Sequence, residues 1–365
     1  MDSLDLSDPN IGDVIMRLDN CEMGLRVVRH PLYRFGQMCG ILTSAVSIMF
    51  FIKLFLNNFF KMGFHFNIKF ILSAFYVNAF GQAVVYTFSQ SKQFFYGFAL
   101  RQPCDVFIGK TEYIVCHMVN LFLIQNQIWL LVAMWIERFV ATIVRDHYEH
   151  KTKFVGPLLT FSAILVVIFC LTFVYYNEDF SEPATDHINT PISSAARINN
   201  LMIVELLICL VGCVFVVLLR RYNNKELMRT RYDLQTQYQL TENVTATRFI
   251  LRLSIFTILC YAVFFTGTLA IRLLKDTDFF MTRFPLFQGL RNITYVLPLF
   301  TLFLPLISEV LRNSDKKREQ HKRESIVEQS NVRDPGSIYS SQLERQWKSG
   351  PVPIITFPQR SMSVT

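Results

Sequence analysis

The sequence predicts an all-α membrane protein: a bundle of seven spanning helices with its N-terminus outside. Three observations carry that prediction. The 365 residues are 52% hydrophobic, with 35 Phe, and only 18% charged, an apolar excess beyond that of an ordinary soluble domain. The apolar residues arrive in seven long blocks separated by polar connections, each block near the roughly 20 residues a membrane helix needs. The third block, Ile114 to Ile136, runs 23 residues without Asp, Glu, Lys or Arg and stops abruptly at Glu137-Arg138.

Taken in order, residues 1–32 read as an outer N-terminal segment. Asp2, Asp5, Asp8, Asp13 and Asp19 interrupt it, so no cleavable signal peptide is expected and the first span would act as the insertion signal. The first span is expected over about 33–56, and the second over about 67–89, with Asn78, Gly81 and Gln82 as its polar or small positions. A loop at 90–110 holds Cys104, Asp105 and Lys110. The third span, within the stretch Thr111–Tyr148, gives way to an inner loop at 143–153 with Arg145, Lys151 and Lys153, and the fourth covers about 154–176, with Pro157 tolerated in its first turn. The loop 177–198 is acidic, carrying Glu178, Asp179, Glu182 and Asp186. The fifth span is expected at about 199–220, then a polar loop at 221–247, the sixth at about 248–273 and the seventh at about 288–309. Residues 33–310 thus form the membrane domain, and 311–365 a cytoplasmic, disordered tail.

Basic residues set the orientation. With the N-terminus outside, 18 Lys and Arg fall in or beside the inner loops and 12 on the outer side, a modest bias for that topology. The net charge of +8 therefore reads as juxtamembrane rather than as a nucleic-acid surface. The cysteines form no CxxC pair and no histidine cluster stands at ligand spacing, so no metal or other cofactor is expected. No nucleophile–base pair, glycine-rich phosphate loop or paired intramembrane carboxylates support an enzyme. No fixed-period repeat appears, which argues against the duplicated halves of many transporters.

The third span carries the candidate chemistry. At about 100° per residue, Asn120 and Arg138, 18 residues apart, share one helix face. Gln127 falls close to that line, as does Tyr113 near the outer end, giving a polar stripe from the outer mouth to the inner Arg. Such amides can simply bond to neighbouring helices. They can also line a pocket, with Tyr113, Asn120 and Gln127 touching ligand. A third use is a polar path through a transporter or channel subunit, although the mid-membrane polar residues read as neutral amides, whereas transport usually uses ionisable groups or broken helices. Arg291, near the outer end of the seventh span, reads as a snorkelling side chain. Cys21 and Cys104 are the two cysteines outside the predicted spans, both on the oxidising side, so a bridge between them is expected; free thiols or pairing between chains are the alternatives.

Several strings together resemble one family. HPLYRFGQ (30–37), FHFNIKFIL (64–72), CDVFIGKTEY (104–113), IERFVAT (136–142) with YEH (148–150), and YDLQTQYQLTEN (232–243) look like the nematode serpentine receptor class beta chemoreceptors. The alpha and epsilon classes share the Glu-Arg motif and the third-loop motif. The resemblance spans roughly residues 20–310. It implies a GPCR-like chemosensory receptor at the plasma membrane of sensory neurons, on dendrite or cilium, binding a small chemical ligand outside and signalling to a heterotrimeric G protein. On that reading Glu137 and Arg138 form the switch, and Tyr232, Tyr238, Glu242 and Asn243 contribute to the G-protein surface. Cys21 and Cys104 both sit beside motifs of the resemblance. The sequence departs from the rhodopsin-like pattern: no Asp in the second span, no Pro in the sixth, no NPxxY in the seventh, and no cysteine after the fourth span to tether the third.

Overall fold

A computed structural model describes residues 21–56, 64–99, 102–144, 153–229, 234–274 and 283–332, together with residues 340 and 344. Among them seven helices are long and apolar enough to cross a membrane. The chain divides into two compact units at Val310/Leu311, and the bundle belongs to the first.

After a helical stretch at residues 21–29, the helices are α1 (Pro31–Leu56), α2 (Phe66–Ala99), α3 (Lys110–Ile143), α4 (Val155–Tyr175), α5 (Ile192–Arg229), α6 (Leu234–Leu274), α7 (Phe284–Thr294) and α8 (Leu297–Val332). A 3₁₀ turn, Pro103–Val106, precedes α3. Helix α3 packs against α2, α4, α5 and α6, which makes it the central post of the bundle.

Lipid gives helices no hydrophobic reason to associate, so close packing and polar contacts must do it. Helix α1 buries Gly36, Gly40 and Ser44, small residues four apart on one face. At Gly40 an added Cβ would run into the Tyr86 ring, so the glycine sets how near α1 comes to α2. At Gly156 a Cβ would stand 2.6 Å from the Asn67 carbonyl oxygen, while the Gly156 N–H donates to Asn67 Oδ1 at 3.1 Å. Deeper in the bundle, Trp135 donates to Ser254 at 2.9 Å and Tyr261 to the Ile124 carbonyl at 3.2 Å, fixing α6 on α3.

Three differences from the sequence reading have physical causes. Helix α2 continues to Ala99, ten residues past its predicted end, and α5 begins at Ile192 rather than 199. The polar segment 221–247 is helical in α5 as far as Arg229 and in α6 from Leu234. Hydropathy reports where lipid ends, whereas a helix stops only where the chain breaks it, and 221–247 holds neither Gly nor Pro. The seventh span is not one helix: it breaks at Tyr295–Val296, just before Pro298, which lacks the N–H that would continue the ladder. Beyond the predicted end at 309, α8 runs on to Val332.

Candidate ligand site

At the end of the bundle where α2 meets α3, the connection between α4 and α5 folds down as a plug. Cys21 and Cys104 are joined by a disulfide with Cα atoms 4.6 Å apart, bringing the N-terminal helical stretch onto the turn before α3. Val27, Val28, Tyr33 and Val106 form a small apolar core beneath it, with Phe107 and Phe284 against it. Arg34 closes this cap, donating to the Val28 and Gly97 carbonyls at 3.0 and 2.7 Å and lying 3.9 Å from the centre of the Phe98 ring.

Asp186, 3% exposed, anchors the plug. Its carboxylate accepts from the Tyr33 hydroxyl at 3.0 Å, Gln90 Nε2 at 2.8 Å and the Ile188 N–H at 3.1 Å. A buried carboxylate needs such donors, and here they come from α1, α2 and the loop itself. His117 of α3 holds the other side: one ring nitrogen bonds the His187 carbonyl at 2.8 Å and the other the Tyr175 hydroxyl at 2.6 Å. Tyr113 donates to the Asn189 carbonyl and stacks on His117 at 5.2 Å. Phe180 takes a left-handed φ of 51°, steadied by stacking on Tyr175 at 5.5 Å. His187 Nε2 lies 3.5 Å from Glu112, which pairs with Lys92 at 2.5 Å. Burial holds the His187 imidazole below its ordinary value, against the opposing pull of Asp186 and Glu112.

Two cavities lie beside and beneath this plug. A vestibule of about 480 Å³ is lined by Tyr113, Phe180, Glu182, Asn189, Arg272 and Arg291 among others. A smaller void of about 50 Å³ sits deeper, between His117, Asn120 and Gln125 of α3, Met202 of α5, Phe265 of α6 and Tyr295 at the helix break. Arg272 and Arg291 line both. The break before Pro298 is what brings Tyr295 inward: its hydroxyl meets Asn120 Nδ2 at 3.1 Å and its ring stacks on Tyr86 at 5.2 Å.

The predicted stripe on α3 is buried throughout, but its members do different work. Tyr113 reaches the vestibule and Asn120 the inner void. Gln127, fully buried, lines neither; its side-chain oxygen accepts from Asn78 at 2.7 Å, and Asn126 donates to Asn78 at 2.9 Å. An amide cluster between α2 and α3 thus fills the bundle below the void. Arg291 lines the cavities rather than snorkelling outward.

At the far end of α3, Glu137 and Arg138 are 0% and 1% exposed. The guanidinium grips both carboxylate oxygens, Nε to Oε2 and Nη2 to Oε1, each at 2.5 Å. Asn243 of α6 accepts from Arg138 at 3.4 Å and donates to the Ala141 carbonyl at 3.3 Å. Asn223 of α5 donates to Thr142 at 3.1 Å, and Thr142 donates to the Arg138 carbonyl at 2.9 Å. The pair is therefore clasped by α5 and α6 together. Glu242 is partly buried beside Asn243 on α6. Tyr232 and the Tyr148-Glu149-His150 string lie outside the described residues, and the Tyr238 side chain does so too.

Sequence reading missed three groups. Asp186 was visible only as part of an acidic loop, and Arg272 only as an outer basic residue. Glu205 contradicts the expectation that mid-membrane polar groups are neutral amides: it is fully buried in α5, near Gln125 and Trp129, with neither oxygen in hydrogen-bond geometry. A single acid in the apolar run Leu201 to Phe215 was the available signal.

Comparison with known proteins bears on all of this. The family model described as serpentine type 7TM GPCR chemoreceptor Srb matches residues 29–265. Serpentine receptor class beta-17 of Caenorhabditis elegans is 25% identical over 333 residues, covering 90% of this chain and 91% of its own length. Class beta-12 and class beta-16 of the same organism are 25% and 26% identical, covering 91% and 84% of this chain and 96% and 89% of their own lengths. With well over half of its residues matched, this chain belongs to the Srb family of serpentine seven-transmembrane chemoreceptors.

Proposed function

We propose that the protein is a chemosensory receptor of the plasma membrane of sensory neurons. It takes a small environmental chemical into the cavities beneath the 178–191 plug and signals through a heterotrimeric G protein at the Glu137–Arg138 end. The observation that carries this reading is the arrangement of α3: the same helix lines the cavities with Tyr113, His117 and Asn120 and ends in the buried ion pair clasped by α5 and α6. A ligand that repositions Asn120 and Tyr295 acts on α3 and the seventh span at once, and α3 ends in a charge pair with two arrangements open to it: closed on Glu137, or released. The disulfide supports placing the cavity end outside, the oxidising side.

The transporter reading is weaker because below Asn120 the interior is filled by the Asn78–Asn126–Gln127 cluster and the Trp135–Ser254 contact. The test is calcium imaging of cells expressing the receptor against a broad chemical panel. Wild type should respond to a subset, and Arg138→Ala should be silent although delivered to the surface. Responses of ordinary size in a well-delivered Arg138→Ala receptor would remove the switch role.

A further inference from the structure

We infer that the cavity selects organic anions, carboxylates carried on a slender apolar body, with Arg291 as the primary anchor and Arg272 as the second. This rests on the receptor reading above and names its ligand class. Both guanidinium groups line both cavities, so they stand at the passage between vestibule and void. Among the described residues no hydrogen bond or ion pair holds Arg291, which feels the Asp186 charge only at longer range. Arg272 is held only by neutral acceptors: the Ala195 carbonyl at 3.1 Å, Thr190 Oγ1 at 3.2 Å and the Asn199 side-chain oxygen.

The acids nearby are occupied. Asp186 is taken by Tyr33, Gln90 and the Ile188 N–H, and Glu182 on the vestibule wall is itself engaged. The Asp186 charge reaches Arg291 without bonding to it, and the two cations still repel each other across one partly desolvated space, so an incoming anion bonded to both relieves them. Guanidinium is suited to that task, because its planar fork meets a carboxylate with two parallel hydrogen bonds. The same charges work against amines. Below them the void is walled by Leu121, Ile124, Ile198, Met202, Phe264 and Phe265, an apolar lining for a hydrocarbon chain. At about 50 Å³ that void admits a narrow chain, not a bulky ring system.

The test uses full-length receptor in phosphatidylcholine nanodiscs and reads its thermal unfolding. The probes are hexanoate, octanoate and 3-phenylpropanoate, each beside its matched alcohol and amine. At least one carboxylate should protect more than its alcohol, and no amine should protect. Arg291→Gln should weaken carboxylate protection about tenfold or more and erase the preference for acid over matched alcohol, with Arg291→Lys in between. Gln288 also lines the vestibule, and filling it with Gln288→Trp should abolish protection by every probe. No protection by any carboxylate, alcohols equal to acids, or an acid preference that survives Arg291→Gln overturns anion selection. Alcohol protection lost in Gln288→Trp would still uphold the ligand cavity, whereas protection untouched by the filling would remove the cavity itself.

Discussion

At one end of α3 an arginine is fully compensated; at the other, two are not. Arg138 is buried against Glu137 with two bonds of 2.5 Å and a third contact from Asn243. Arg272 and Arg291 border open space with no carboxylate bound to either among the described residues. Desolvated charge is costly, so close pairing at Arg138 and its absence at the cavities set the two ends apart physically. On the proposed reading, the difference marks one end as a dry latch and the other as a site that a ligand completes.

The largest break in that contrast comes from the latch. Glu137→Ala leaves Arg138 buried without its partner and should cost about 3–5 kcal/mol of stability. The same release should raise basal signalling, read as ligand-independent calcium in expressing cells. Removing both residues should cost less than the sum of the single changes, since the double mutant strands no charge. A basal signal unchanged from wild type would mean that the pair is structural only.

The cavity end depends instead on its cap. Reducing the bridge or replacing it with Cys21→Ser should cost about 2–4 kcal/mol and loosen residues 21–29 and 102–109 in hydrogen exchange, with the Asn223–Thr142 region unaffected. Spread of the loosening to the latch would show that the two ends are one cooperative unit. Asp186→Asn should cost about 1–3 kcal/mol, because three donors lose a charged acceptor. Its exchange signature should be confined to 178–191.

The smallest effect is a pH dependence of the plug. His187 sits below its ordinary value of 6.5 because it is buried, with Asp186, Glu112 and Lys92 facing it. A released loop therefore binds the proton first as pH falls, so the closed plug loses stability from about 6.5 down to the folded-state value and gains nothing above it. Exchange of 178–191 should quicken across that window in wild type and not in His187→Gln. Slower exchange on acidification would mean that Glu112 and Asp186 outweigh burial.

Sequence patterns revealed much of the frame and less of the site. The seven spans were legible because lipid demands long uncharged runs, and the inward face of α3 because helical spacing aligns its amides. Gln127 bonds to Asn78, 49 positions away, and lines neither cavity, which spacing alone does not reveal because it fixes a face, not a depth or a partner. Asp186, Arg272 and the inward turn of Arg291 depend on where a loop folds and where the chain breaks at Tyr295, and these are products of tertiary packing. The length of α2, α5 and α6 is not legible in hydropathy, because apolar content measures the membrane and not the helix.

One paired measurement tests the contrast most directly: the thermal stability of unliganded Arg138→Gln and Arg291→Gln receptors in the same nanodiscs. Arg138→Gln strands the Glu137 carboxylate and should melt well below wild type, in keeping with a loss of about 3–5 kcal/mol. Arg291→Gln removes a cation that no described residue holds by a hydrogen bond or ion pair, and should melt close to wild type. A loss in Arg291→Gln as large as that in Arg138→Gln would show that the cavity arginine is already compensated from within, and the account of the two ends would fail.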